Sequence, residues 1–216
     1  MNNLINSVVF DLDGTLMQSH GSIYKATIKT LEEFNIDVNF TEQEFNGKIG
    51  AHFKDIFAEF QVAVDDLEYF IERYKSYYFD FIDDSKFYPN VFEVLKKLNE
   101  NKISVSILTT KAQDQVDKIV EHFDIRHYFK ITMGRRPGMK IKPAPDMLQK
   151  ICADLNILPG NTLMVGDSEL DVLCGKSAGA KTCAVTYGYR NADVLKKENP
   201  DYLVSDIEEL TKILNI

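Results

Sequence analysis

From residue 91 to the C-terminus, short β-branched apolar runs alternate with stretches whose apolar residues recur at helical spacing. That alternation admits few folds. Strand, covering helix and next strand repeat until both faces of one sheet are covered, which makes an α/β protein with a parallel sheet. The runs at 103–108, 128–133, 162–165 and 182–185 read as strands, with a weaker one near 202–203. Helices are expected from Val91, Val94, Leu95 and Leu98, then over 113–123, 144–155 and 170–178, and finally over 207–214. Upstream, Val8-Val9-Phe10 is one more buried strand, and it ends abruptly in Asp11-Leu12-Asp13-Gly14.

Between that first strand and the turn at Pro89-Asn90 the pattern changes. Apolar residues recur at helical spacing in Tyr24, Ile28 and Leu31, and again in Leu67, Phe70, Ile71, Tyr74 and Tyr78, with Asp65 and Asp66 where an N-cap belongs. No strand is expected there. A helical segment of this size directly after a first strand suggests a small inserted domain; the other reading is that these helices cover one face of the sheet. The aromatics at 67–81 read as the core of this segment rather than as a platform for bases.

In open parallel sheets, ligands sit beyond the carboxyl ends of the strands, so the residues that follow each run carry the information. Asp11 and Asp13 follow the first. Side chains at i and i+2 of extended chain share a face, so the two carboxylates can converge on one point. Gly14 can turn the chain sharply behind them. Thr109, Thr110 and Lys111 follow the second run, and Lys142-Pro143-Ala144-Pro145 follows the third after a basic stretch from Gly134 to Lys140. Gly166-Asp167-Ser168 follows the fourth, with Asp171 one helical turn on. The basic stretch reads as an exposed loop, with steering of a phosphorylated substrate as its second reading. Tyr187-Gly188-Tyr189 falls near this end of the sheet without a role that the sequence assigns, and His20, His122 and His127 lack ligand spacing.

Composition limits the partners. A net charge of −8 argues against a nucleic-acid backbone, which needs clustered Lys and Arg, but leaves room for a small phosphorylated substrate. Cys152, Cys174 and Cys183 are too few and too irregular for a disulfide scaffold or a zinc site, and read as buried thiols in a reducing compartment. No run approaches the ~18 apolar residues of a membrane span. A cytoplasmic protein, monomeric or homodimeric, is expected.

Asp11, Asp13 and Asp167 offer hard oxygen ligands of the kind that suits Mg²⁺. Without a cation these acids repel a phosphate dianion. With one, and with Lys142 and the Thr109 hydroxyl as donors, the pocket can hold a phosphoryl group. Asp11 can then act as nucleophile, giving an aspartyl-phosphate, while Asp13 protonates the leaving oxygen and later activates water.

Asp11-Leu12-Asp13-Gly14-Thr15-Leu16, Leu108-Thr109-Thr110-Lys111, Lys142-Pro143-Ala144-Pro145-Asp146 and Val165-Gly166-Asp167-Ser168 with Asp171 resemble, in that order, the four motifs of the haloacid dehalogenase superfamily. The resemblance spans residues 8 to about 187. It implies a Rossmann-like parallel-sheet core flanked by helices, residues 1–17 and 85–216, with a small all-helical cap domain, 18–84, inserted after the first strand. It also implies Asp11 as nucleophile, Asp13 as general acid and base with its backbone carbonyl on Mg²⁺, and Thr109 and Lys142 at the phosphoryl group. Asp11, Asp13 and Asp167 would form the metal set, with Ser168 and Asp171 in support. Gly14, Thr15 and Thr110 would bind substrate beside them. Residues 47–52 resemble the cap loop that faces the site, which adds Gly50 and His52 to the substrate-binding set; a solvated turn accounts equally well for His52.

Within the superfamily an acid at position 13 points to phosphoryl transfer, since release of a halide needs no proton. The motifs are most similar to those of phosphoglycolate phosphatases, with Gln18 and Asn90 standing where an acid and a glycine are common. β-Phosphoglucomutases also resemble the chain, but a cap arginine of theirs falls on Phe53 and a histidine on Ile23. The expected activity is therefore hydrolysis of a small phosphorylated metabolite, with a phosphosugar mutase as the alternative. A signalling receiver domain uses similar residues, but it has no helical insert and places its reactive aspartate after the third strand, where this chain has Gly134.

Overall fold

The computed structural model describes residues 5–216. Its axis is β1 (Ser7–Phe10), four buried residues that pair in parallel with a strand on either side. The chain then runs through β2 (Met17–Gln18), α1 (His20–Glu33), α2 (Glu42–Asn46), α3 (Phe53–Glu59) and α4 (Leu67–Asp80), returning at β3 (Lys86–Phe87). From there strand and helix alternate as α5 (Val91–Glu100), β4 (Ser104–Ala112), α6 (Gln113–His122), β5 (Ile131–Arg135) and α7 (Asp146–Leu155). The second half follows as β6 (Thr162–Gly166), α8 (Glu169–Ala178), β7 (Lys181–Val185), α9 (Ala192–Lys197), β8 (Tyr202–Val204) and α10 (Glu209–Leu214).

The main sheet has the order β5-β4-β1-β6-β7-β8, with every neighbouring pair parallel. The α/β class expected from the alternation is met. The two-residue period of a strand sorts the core into two layers. Val8 and Phe10 join Val105, Ile107, Leu163 and Val165 under α5, α6 and α10. Val9, Leu108 and Met164 face the other way, under α7 and α8. Strand order reverses at β1, which opens a crevice at its carboxyl end.

Helices α1 and α4 pack on each other, and Arg73 grips Glu33 through two nitrogens at 2.8 and 3.0 Å. The α4 stripe is the expected one, with Phe70, Ile71, Tyr74 and Tyr78 buried, and Asp66, not Asp65, is the cap, accepting from the Tyr69 amide at 2.9 Å. The buried face of α1 is rotated by about one position from the expectation. It runs through Ile23, Ala26, Thr27, Thr30 and Leu31, with Tyr24 and Ile28 only half-buried. Thr27 and Thr30 can be buried because their hydroxyls donate to the carbonyls of Ile23 and Ala26, both at 2.7 Å.

Three other details depart from the sequence reading. β2 and β3 pair antiparallel, Met17 opposite Phe87, and hold the outgoing and returning chain side by side; two-residue strands are too short to show a period. β4 continues to Ala112 with a register shift after Leu108, so Thr109-Thr110-Lys111 lies on an irregular strand end instead of in a loop. β5 starts at Ile131, because residues 126–128 form a short 3-10 turn. Asn90, where a glycine is common, has φ of +64°, a conformation Asn tolerates, and its side-chain amide donates to Asp206. Among the described residues no helix is long and apolar enough to cross a membrane.

Candidate active site

The site begins where β1 stops. The Asp11 amide donates to the Val165 carbonyl at 2.9 Å, so this residue keeps the register of the sheet after the strand has ended. The next residues fold back tightly. The amides of Leu16 and Met17 donate to the Leu12 carbonyl, and Gly14, at φ +83°, donates to the Met17 carbonyl at 2.8 Å. Only a residue without Cβ fits at 14, because a side chain there would run into the Asp167 carboxylate.

The two aspartates of this segment feel each other: besides burial, Asp13 is one of the charges that raise the Asp11 carboxyl. Each has its own lysine. Lys142 Nζ, fully buried at the start of the segment leading to α7, lies 2.7 Å from Asp11 Oδ1 and 2.5 Å from Asp171 Oδ1. Lys111 Nζ lies 2.8 Å from Asp13 Oδ2 and 4.8 Å from the centre of the Tyr78 ring. Asp13 also accepts from the Ser19 hydroxyl, and the Ser19 amide donates to the Tyr189 hydroxyl at 2.8 Å. Asp13 is thereby fixed in orientation from two sides.

Three carboxylates converge, Asp11, Asp167 and Asp171, all buried, with one oxygen of each within 4.8 Å of the others. Asp171 is held by a capping box at the start of α8: the Ser168 amide and hydroxyl both donate to its Oδ2, at 3.1 and 2.6 Å. Asp167 accepts from the Tyr189 amide at 2.7 Å and from Thr15 Oγ1 at 3.3 Å. Burial pushes the Asp11 carboxyl up to about 7, with Lys142 pulling it down and Asp171 adding to the rise. Burial likewise drives Asp167 well above the carboxylate range, reinforced by Asp11 and Asp171. For Lys142 burial works the other way, but Asp11 and Asp171 more than offset it and hold the ammonium charged.

Four carboxylates, Asp11, Asp13, Asp167 and Asp171, thus stand against two ammonium groups, Lys111 and Lys142. Fully ionised, the four would outnumber the ammonium groups by two, and hard oxygen donors of this kind fit one divalent cation such as Mg²⁺, whose charge would offset the burial that opposes ionisation of Asp11 and Asp167. Thr109, buried at the end of β4, accepts from the Lys111 amide at 3.3 Å and so keeps its own O–H for another acceptor.

The remaining expected residues are distributed as follows. Thr110 Oγ1 donates to the Gly50 carbonyl at 2.9 Å, which ties the loop between α2 and α3 to the end of β4. His52 caps α3 through Nδ1, accepting from the Lys54 amide at 3.2 Å, and burial, then Arg135, lower its basicity. Gly50, His52, Thr110, Lys111 and Asp13 all line one cavity between the helical segment and the sheet.

Lys111 closes the second motif, and what the motif does not report is its pairing with Asp13. Other contributors carry no motif of their own. Ser19 donates to Asp13, and Tyr189 meets Ser19 across 170 residues of chain, which no local pattern reports. Tyr187 donates its hydroxyl to the Thr15 carbonyl at 2.9 Å, so the loop after β7 braces the loop after β1. Arg135, expected in an exposed loop, is the last residue of β5 and lines the cavity.

A family model described as haloacid dehalogenase-like hydrolase matches residues 8–185, and the chain belongs to that family. It is similar to the pyrophosphatase PpaX of Anoxybacillus flavithermus, with 29% identity over 98% of this chain and 98% of the relative. Among solved structures, a predicted phosphoglycolate phosphatase from Haemophilus somnus superposes with a TM-score of 0.86 at 28% identity, covering 99% of both chains. A predicted phosphatase from Clostridium acetobutylicum gives 0.83 at 29% identity, covering 99% of this chain and 100% of that one. The resemblance drawn from the four motifs is met, and the expected place among the phosphatases of the family agrees with these neighbours.

Proposed function

We propose that this hydrolase is a Mg²⁺-dependent phosphatase that moves the phosphoryl group of a small phosphorylated metabolite to Asp11 and then to water, in the manner of phosphoglycolate phosphatases. The observation that carries the reading is the pairing of Lys142 with Asp11 at 2.7 Å inside a buried cluster of three carboxyl groups, Asp11, Asp167 and Asp171. Asp11 and Asp167, with the Asp13 backbone carbonyl and with Ser168 and Asp171 in support, are the residues that would hold the cation. When bound, Mg²⁺ supplies the positive charge that lets a phosphoryl dianion approach these carboxylates.

The ionised Asp11 carboxylate attacks phosphorus, and the bond to the leaving oxygen breaks. Asp13, held by Lys111 and Ser19, enters this step protonated and delivers that proton to the leaving oxygen, becoming the carboxylate. In the second half-reaction the same carboxylate takes a proton from water, which attacks the aspartyl-phosphate and frees Asp11. Lys142 and the Thr109 hydroxyl donate to the phosphoryl oxygens, where negative charge is greatest.

Residues 18–84 act in this reading as a cap over a core of residues 1–17 and 85–216. Two side chains weigh against transfer to a sugar. Phe53 is packed on Tyr74, with ring centres 4.7 Å apart, and Ile23 is buried; both line the cavity and neither offers a charge or a hydrogen bond to a hydroxylated acceptor. Three unpaired buried thiols suit the reducing cytoplasm. The test is turnover of p-nitrophenyl phosphate with Mg²⁺. Hydrolysis that stops in EDTA and in Asp11→Asn is expected; a rate indifferent to both refutes the scheme.

A further inference from the structure

We propose that the cavity between the helical segment and the ends of β4 and β5 receives a leaving group that carries a second anion, a carboxylate or a further phosphoryl group, and that Arg135 recognises it. The proposal rests on the phosphatase reading, which makes Asp13 the end of the cavity where the leaving oxygen departs.

The cavity is two-sided. Ile49, Phe53 and Ile56 belong to an apolar wall from the helical segment, which gives a polyhydroxylated leaving group nothing to bond to. The opposite side is polar, with Asp13, Lys111, Gln115 and Arg135. Lys111 already has a carboxyl partner, Asp13 Oδ2 at 2.8 Å. Arg135 has no such counterpart. Its Nε is buried without a hydrogen-bond partner, and among the described residues it makes no ion pair.

A buried N–H group without an acceptor loses its hydration with no return, so the Arg135 Nε donor is satisfied only when an acceptor arrives. A guanidinium presents its donors as a planar fork that matches a carboxylate or phosphate, and an anion also cancels its charge. His52 does not compete for this role, because burial and the neighbouring Arg135 favour its neutral form. Arg135 is therefore the one uncompensated positive charge among the residues that line the cavity. Arg135 and His52 also line a second groove, along Met139 and Pro143, which offers a path by which the anion enters.

Phosphonoacetate is a non-hydrolysable phosphonate with a carboxylate, and ethylphosphonate lacks one. Calorimetric titration of the Mg²⁺-loaded enzyme is expected to show phosphonoacetate binding about tenfold tighter or better, the scale of a charge-assisted hydrogen bond. R135Q should erase that preference and R135K should keep part of it. In turnover, the ratio of kcat/KM for phosphoglycolate or pyrophosphate to that for phenyl phosphate should fall on the order of 10- to 100-fold in R135Q. Whichever substrate loses more identifies the second anion as carboxylate or phosphoryl. Equal affinity for the two phosphonates, or a preference that survives R135Q, overturns the proposal. An enzyme that hydrolyses no phosphate ester yet shows the Arg135-dependent preference removes the phosphatase reading and leaves the cavity assignment standing.

Discussion

Tyr189 donates its backbone N–H to Asp167 Oδ2 at 2.7 Å, and the residue before it, Gly188, is pressed against the same aspartate. A Cβ at 188 would collide with the Asp167 side chain and lie 2.5 Å from the Gly14 carbonyl oxygen. Gly188→Ala must therefore displace Asp167, the loop after β1, or both. A shift of ~1 Å in a reacting constellation costs on the order of 100-fold in rate, and overpacking costs ~1–3 kcal/mol of stability. Steady-state kinetics and urea unfolding read the two effects separately. Tyr189→Phe keeps the amide donor and should retain Asp167 in place, so a loss equal to that of Gly188→Ala would show that the collision is not the cause.

Asp11 and Lys142 should respond in opposite directions to removal. The cluster holds more carboxylates than ammonium groups, so Asp11→Asn relieves repulsion, and Lys142 keeps its 2.5 Å partner Asp171. That variant is expected to be inactive yet at least as stable as the parent. Lys142→Met leaves Asp11 and Asp171 buried without their counter-charge, a change that costs ~3–5 kcal/mol. Thermal melts in EDTA compare them free of added metal. An Asp11→Asn protein markedly less stable than the parent would mean that the ion pair outweighs the repulsion.

Much of this architecture is written locally in the sequence. The short apolar runs of β1, β4, β6 and β7 and the 3.6-residue stripes of α5 and α7 are signals within single elements, and the four aspartates and Lys142 follow strand ends that those signals locate. What escaped the reading is of two kinds. β2 and β3 are two residues each and exist because distant chain segments meet. Ser19, Tyr187, Tyr189 and Arg135 acquire their roles only when the loops after β1, β5 and β7 are brought to one end of the sheet. That Asp11 and Asp13 pair with different lysines, Lys142 and Lys111, likewise depends on segments far from both in the chain.

The three thiols should be inert in the native state. Burial pushes Cys174 and Cys183 up to about 12, and raises Cys152 as well. The thiolate is the reactive species, so at pH 8 almost none is present at these positions. Ellman's reagent is expected to titrate no thiol in the folded protein within minutes and all three in guanidinium. Rapid labelling of Cys152 or Cys174 in the native enzyme would reveal opening of the layer formed by α7 and α8.

Asp201 fastens the outermost strand. It accepts from the Thr182 amide at 2.9 Å, the Thr182 hydroxyl at 3.0 Å and Lys181 Nζ at 2.7 Å, joining the start of β7 to the residue before β8. Partial burial disfavours its charge, but Lys181 and the Thr182 donors win and hold the carboxyl below its ordinary value. The sign follows from linkage. A carboxyl whose folded value is depressed adds stability that is complete above the unfolded value of ~3.9 and is lost as pH falls through the folded one. Asp201→Asn should thus cost ~1 kcal/mol at pH 7, the low end for a partly exposed charge-assisted bond. The gap between variant and parent should narrow as the pH is lowered below ~4. Urea unfolding at pH 7 and pH 3.5 measures both gaps, and a difference that persists unchanged at the lower pH would assign the loss to amide geometry instead of charge.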